Sequence, residues 1–166
     1  PLETAKEAVI RFVNELEGVD TRFALMVFGD RVKTIRELTS DRYAIISSIN
    51  QLKVNMAGRG TDANPFTDAR KMLLNAPGAN AVVILTDGVW GNRNTAVTQA
   101  MECKRDGIAM VAVGFGDADT SFLRQLATVE EGALYTTLDC LSETFGTIAT
   151  AISSGNMGMR ESGKGE

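Results

Sequence analysis

Two short segments carry the residues best suited to chemistry, Gly58-Arg59-Gly60-Thr61-Asp62 and Leu85-Thr86-Asp87-Gly88. Thr61 offers a neutral hydroxyl oxygen and Asp87 a charged carboxylate, the hard donors that magnesium, manganese and calcium favour. Gly58 and Gly60 let the backbone of the first segment approach a ligand closely. Asp87 follows the apolar run Ala81-Val82-Val83-Ile84-Leu85, which places it in the crevice at the C-terminal edge of an open α/β sheet. Each signal also has a plain structural reading: Asp87-Gly88 makes a tight turn, and Thr61 or Asp62 caps the following helix. Two side chains are, moreover, too few to hold a small dication well. Gly60, Asp62, Gly88 and Trp90 flank the two donors and are the candidate partner contacts. Trp90 is either an exposed recognition aromatic or a ring packed under its loop.

Much chemistry is excluded. The chain contains no histidine, so His-based triads, imidazole zinc sites and His general bases are ruled out. There is no Gly-x-x-x-x-Gly-Lys-Ser/Thr loop, and after Gly114-Phe115-Gly116 the third glycine of a dinucleotide fingerprint is replaced by Asp119. With 166 residues, 44% hydrophobic and 23% charged, the chain has the size and balance of one globular domain. A net charge of -4 with scattered Lys and Arg argues against a nucleic-acid partner. No apolar run approaches the ~20 residues needed to cross a bilayer, so no membrane insertion is expected. Cys103 and Cys140 form no CxxC pair and read as free thiols, and there is no glycosylation sequon. These features lean toward an intracellular, cytoplasmic domain of a bacterium.

The elements that must position the two donors follow from periodicity. Leu2, Ala5, Val9, Phe12, Val13 and Leu16 recur at helical spacing up to Gly18, with Pro1 in the first turn. Phe23 to Phe28 is a continuous apolar run, the pattern of a strand covered on both faces. A short Gly29 to Arg31 turn then leads into the charged segment Val32 to Leu38, an antiparallel edge strand. Thr39 or Ser40 caps a helix over residues 41–52, and a further helix carries Phe66, Ala69, Met72 and Leu73. Strands over 81–85, 108–113 and 133–138 alternate with helices over 96–105, 121–128 and 141–152. The alternation predicts a Rossmann-like, doubly wound α/β fold: a mostly parallel sheet with one antiparallel edge strand and helices on both faces. Residues 1–152 form the domain, and the Gly/Ser-rich tail 153–166 is expected to be disordered. The first helix looks like a crossover helix, yet no strand precedes it in the chain from which it could cross over.

The order Phe-Ala-Leu-Met-Val-Phe-Gly-Asp, Gly-Arg-Gly-Thr-Asp, Val-Val-Ile-Leu-Thr-Asp-Gly, Val-Ala-Val-Gly-Phe-Gly and a closing Leu141-Ser-Glu-Thr-Phe helix resembles the von Willebrand factor type A (vWA) family. The resemblance covers the chain to about Ile152. It implies a metal-ion-dependent adhesion site (MIDAS) built from three loops, an Asp-x-Ser-x-Ser, a Thr and an Asp. Thr61 matches the second and Asp87 the third. No Asp-x-Ser-x-Ser occurs from Pro1 to Glu166. In the family that loop follows a first strand lying centrally, between the counterparts of the Phe23 and Ala81 strands.

The implied function is a protein-binding module in which magnesium, manganese or calcium accepts an acidic side chain from a partner protein. Residues 1–166 alone should hold no metal, and an upstream strand or another chain is needed to complete the sheet. Two alternatives are a hydrolytic or phosphoryl-transfer enzyme using Asp87 and a metal-free structural domain. No nucleophile and base pair favours the enzyme.

Overall fold

The structure is a computed structural model and describes residues 1–155 and 161–162. Helix α1 (Leu2–Glu15) starts with Pro1 at its N-cap and presents Ala8 and Val13 inward. Strand β1 (Phe23–Phe28) turns through Gly29–Arg31 into β2 (Val32–Thr39), and the two pair antiparallel with a register shift near Leu25. Helix α2 (Arg42–Asn50) follows, and α3 (Phe66–Leu73) comes after a long loop. The short strand β3 (Gly78–Ala79) leads into β4 (Ala81–Thr86). Helix α4 (Arg93–Arg105), β5 (Ala109–Gly114), α5 (Thr120–Leu126), β6 (Ala133–Tyr135) and α6 (Leu141–Ser153) complete the expected alternation.

Strands β4, β5 and β6 pair in parallel in that order, with β4 and β5 matched from Ala81–Ala109 to Thr86–Gly114. The two-residue side-chain period of β5 divides the core. Val111 and Val113 pack with Ala8 of α1 and Leu141, Phe145 and Ile148 of α6. Met110 and Ala112 face Phe66 of α3, Ala100 and Cys103 of α4, and Phe122 and Leu126 of α5. Helices therefore cover both faces, as the alternation required. A third cluster joins Val13 to Ile45 and Ile49 of α2, with Phe23 and Leu25 of β1 against it.

The sheet is not continuous. Among the described residues, strand β1 pairs with β2 alone, and β4 pairs on one side, with β5. Between the unpaired edges of β1 and β4 runs a cleft of about 1420 Å³, lined by every residue of both strands and by apolar side chains of α1, α2 and α3. Among the described residues no strand lies between β1 and β4, so the expected gap is where the resemblance placed it.

Some local expectations need correction. Helix α2 is capped by Asp41, whose carboxylate accepts from the Ala44 N–H at 3.1 Å, while Thr39 accepts the N–H of Asp41 itself. The carboxylate reaches the third helical N–H, which the residues expected to cap lie too far upstream to do. Strand β6 stops at Tyr135 because residues 138–140 enter a 3-10 turn that leads into α6. Within the tail expected to be disordered, α6 extends through Ser153 and β7 (Glu161–Ser162) pairs antiparallel with β3. Residues 156–160 and 163–166 lie outside the described residues.

Candidate metal and partner site

The chain reaches Thr61 by a loop clamped to the β1–β2 turn. The Asp30 and Arg31 N–H groups both donate to the Ala57 carbonyl, at 2.8 and 3.2 Å, and the Ala63 N–H donates to the Gly29 carbonyl at 2.9 Å. The Asp30 carboxylate accepts the Arg59 N–H at 3.1 Å. Neither Thr61 nor Asp62 caps α3. Pro65 occupies that N-cap position, and Asn64 accepts the Phe66 N–H at 3.2 Å. The helix-capping explanation of Thr61 is thereby removed.

Asp87 is placed by the end of β4. Its carbonyl accepts the Asp117 N–H at 3.0 Å, and the Thr86 carbonyl accepts the Phe115 N–H at 3.1 Å. The Thr86 hydroxyl then shapes the loop beyond, accepting the Trp90 indole N–H at 3.0 Å and the Gly88 N–H at 3.4 Å. That loop is tied directly to the Thr61 loop. The Gly91 N–H donates to the Thr61 carbonyl at 3.0 Å, and the Asn92 amide donates to the Asp62 carbonyl at 3.1 Å.

Thr61 and Asp87, with Gly60 and Gly88, line the same cleft and sit on loops hydrogen-bonded to each other. Both side chains are exposed, and among the described residues neither the Thr61 hydroxyl nor the Asp87 carboxylate forms a hydrogen bond or ion pair. Two unengaged hard oxygens suit a dication of the magnesium or calcium kind, and they are incomplete as a coordination shell. Among the described residues no group of three or more Cys, Asp or Glu side chains could hold a metal ion.

The flanking residues divide into exposed and buried ones. Asp62 is exposed, with its carboxylate against Gly91, where a Cβ would come within 2.3 Å of it. Trp90 is buried at 5% exposure and settles the choice left open by the sequence in favour of packing. Its ring lies 5.0 Å from Phe28, 5.8 Å from Phe66 and 5.2 Å from Phe122, so it cannot present itself to a partner. The exposed apolar neighbour is Val89, at 53%. Below the aromatic cluster, Arg93 lies over the Phe122 ring and pairs with Asp119 at 2.8 Å. That hydrogen bond, with the Ser121 N–H, holds the Asp119 carboxyl below its ordinary range.

Sequence reasoning missed Asp30, Gly91 and Asn92. Asp30 read as part of a hairpin turn, and only its position after a strand ending at the same sheet edge could have drawn attention to it. Gly91 and Asn92 carry no local signal, because their partners lie 30 residues away.

The sequence profile of the von Willebrand factor type A domain matches residues 1–148. The chain belongs to this family. Solved structures agree in fold. Proximal thread matrix protein 1 from the mussel byssus is similar with a TM-score of 0.81 and 22% identity, covering 96% of this chain and 42% of its own. A form of the same mussel protein described as having a zinc-occupied MIDAS motif gives 0.79 at 22% identity, covering 91% and 40%. The vWF domain of the type V pili tip protein Mfa5 from Porphyromonas gingivalis gives 0.81 at 14% identity, covering 93% and 88%. This vWA chain therefore spans less than half of the mussel protein's length. A comparison with curated protein sequences gives no match. Among the described residues no helix is long and apolar enough to cross a membrane.

Proposed function

We propose that this vWA domain binds a partner protein through a divalent metal at the C-terminal edge of its sheet, with Thr61 and Asp87 as two of the ligands. The observation that supports the reading is that two exposed, unengaged hard oxygens line the same cleft on loops hydrogen-bonded to each other. The zinc-occupied MIDAS of the mussel relative supports a dication at this position. Magnesium, manganese and calcium suit the hard donors. When bound, such an ion offers an open coordination position to a carboxylate oxygen of the partner. Gly60, Asp62 and Gly88 border that position, and Val89 takes the surface role expected of Trp90.

The remaining ligands belong to an Asp-x-Ser-x-Ser segment at the end of a strand seated in the cleft, supplied by the same protein or by another chain. Among the described residues, no strand pairs with the cleft-facing edges of β1 and β4. A buried group left unsatisfied costs about 1–3 kcal/mol, so the cleft favours an extended apolar segment over water.

Isothermal titration with magnesium tests the reading. The chain of residues 1–166 should show no tight binding, and the same chain with an apolar strand ending in Asp-x-Ser-x-Ser added should bind magnesium and lose it on Asp87→Ala. Micromolar, Asp87-dependent binding without the added segment would show that the ligand set is wrong. Turnover of generic phosphoesters that depends on Asp87 would point to an enzyme instead.

A further inference from the structure

The Asp30 carboxylate stands against two glycines of the Thr61 loop. A Cβ built on Gly58 would lie 2.2 Å from one of its oxygens, and one built on Gly60 would lie 1.8 Å from the other. At Gly60 the three nearest atoms all belong to Asp30. Gly60 does not have the left-handed backbone conformation that Gly58 adopts at φ +91. The nearest obstacle to a side chain at Gly60 is therefore the Asp30 carboxylate. One oxygen of that carboxylate accepts the Arg59 N–H, two residues before Thr61.

From this geometry we infer that Asp30 is the positioning residue for Thr61: its carboxylate fills the space over the two glycines and fixes the loop that aims the threonine hydroxyl at the metal edge. The inference rests on the metal reading above. Asp30 acts through the backbone of its neighbours and is not itself a ligand. A hydrogen bond to a neutral amide oxygen would serve the same purpose, so the role depends on the acceptor and the shape rather than on the charge. Groups that orient metal ligands in this way typically change metal affinity 10- to 100-fold when removed.

The experiment pairs amide hydrogen exchange with magnesium titration of the strand-completed domain, using Asp30→Ala, Asp30→Asn, Gly60→Ala and the double variant Asp30→Ala/Gly60→Ala. Asp30→Ala should accelerate exchange at Arg59 and weaken magnesium on the order of 10-fold, while Asp30→Asn should stay within about threefold of the parent on both. Gly60→Ala should resemble Asp30→Ala in the parent background and add nothing once Asp30 is alanine, because its clash partner is gone. If Asp30→Asn loses affinity as fully as Asp30→Ala while Arg59 stays protected, the charge acts on the metal and the positioning role is overturned. Additive effects of Gly60→Ala and Asp30→Ala would overturn it as well. Should Asp30→Ala fail to fold, Asp30→Asn and Gly60→Ala still decide the matter through the Arg59 exchange rate. No magnesium binding by the unaltered completed domain would overturn the metal reading itself, whereas an unchanged Arg59 exchange rate in Asp30→Ala overturns only the role of Asp30.

Discussion

Strands β5 and β1 have similar compositions, Ala-Met-Val-Ala-Val-Gly against Phe-Ala-Leu-Met-Val-Phe, and unlike surroundings. All six residues of β5 are buried between helices and between two neighbouring strands, whereas every residue of β1 is only half-buried. Strand β4 is intermediate in the same sense: it pairs with β5 on one side, and only Ile84 of its residues is fully buried. Both strands bordering the cleft are less buried than β5, as are the outer strands β2 and β6. An apolar strand composition records the environment a strand suits, and under the function proposed above β1 and β4 would take one more neighbour between them.

The largest change should come from supplying that neighbour. A strand paired to both edges spaces β1 and β4 two interstrand steps apart, about 9–10 Å. It should raise the unfolding midpoint on the order of 10 °C, since each ~1 kcal/mol is worth ~2–4 °C at this size. Hydrogen exchange should slow at residues 24–27 and 82–85 and change little in β5. Equal protection of β1 and β5 before any strand is added would remove the contrast.

Trp90 bridges the two regions, because its ring touches Phe28 of β1 as well as Phe66 and Phe122 from the helices beside β5. Trp90→Ala should cost ~3–5 kcal/mol in denaturant unfolding. A cost below ~1 kcal/mol would mean that the two regions are not joined through this cluster.

Methionine makes the contrast quantitative, since each strand carries one. Met110→Ala, at a position with no exposure, should cost ~2–5 kcal/mol, and Met26→Ala less than ~1 kcal/mol while the cleft is open. The gap should narrow when the cleft is filled. Similar costs in the open form would contradict the difference in burial.

A smaller effect concerns the two thiols. Cys103 is buried near Phe66, and burial pushes its thiol up to about 11, whereas Cys140 is exposed. Above the ordinary thiol range the unfolded chain gives up this proton and the folded chain keeps it. The stability contributed is present below the unfolded value, 9.0, and is lost as pH rises toward 11. Cys103→Ala should flatten that alkaline limb, and iodoacetamide near neutral pH should label Cys140 and spare Cys103.

The smallest effect on stability belongs to Asp87. Exposed and without a hydrogen bond among the described residues, its carboxylate contributes little to folding, so Asp87→Asn should change the unfolding free energy by less than ~0.5 kcal/mol.

The elements legible in the sequence were those whose signal is periodic. Val111 and Val113 alternate with Met110 and Ala112 along an apolar run, and the edge strand announced itself through Lys33, Arg36 and Glu37. Thr61 and Asp87 were legible as donors because they sit at the boundaries of such runs. The clamp by Asp30 was not, since its meaning lies in contacts with Gly58, Arg59 and Gly60 across a long loop. Trp90 was ambiguous because its local sequence, Gly88-Val89-Trp90-Gly91, is that of an exposed turn, and only three distant phenylalanines bury it.

The parallel register of β4 and β5 has a mechanical consequence. Asp87 stands at the end of β4, and β4 is matched to β5 without interruption from Ala81 to Thr86. Tension on anything tethered at Asp87 and directed along the strand is shared by the evenly spaced hydrogen bonds of that ladder and loads them together in shear. Thr61 sits on a loop held by scattered hydrogen bonds to the β1–β2 turn and to Gly91 and Asn92 rather than by a strand ladder. A pull at this edge would be carried by the aspartate's strand, while the threonine's loop yields first.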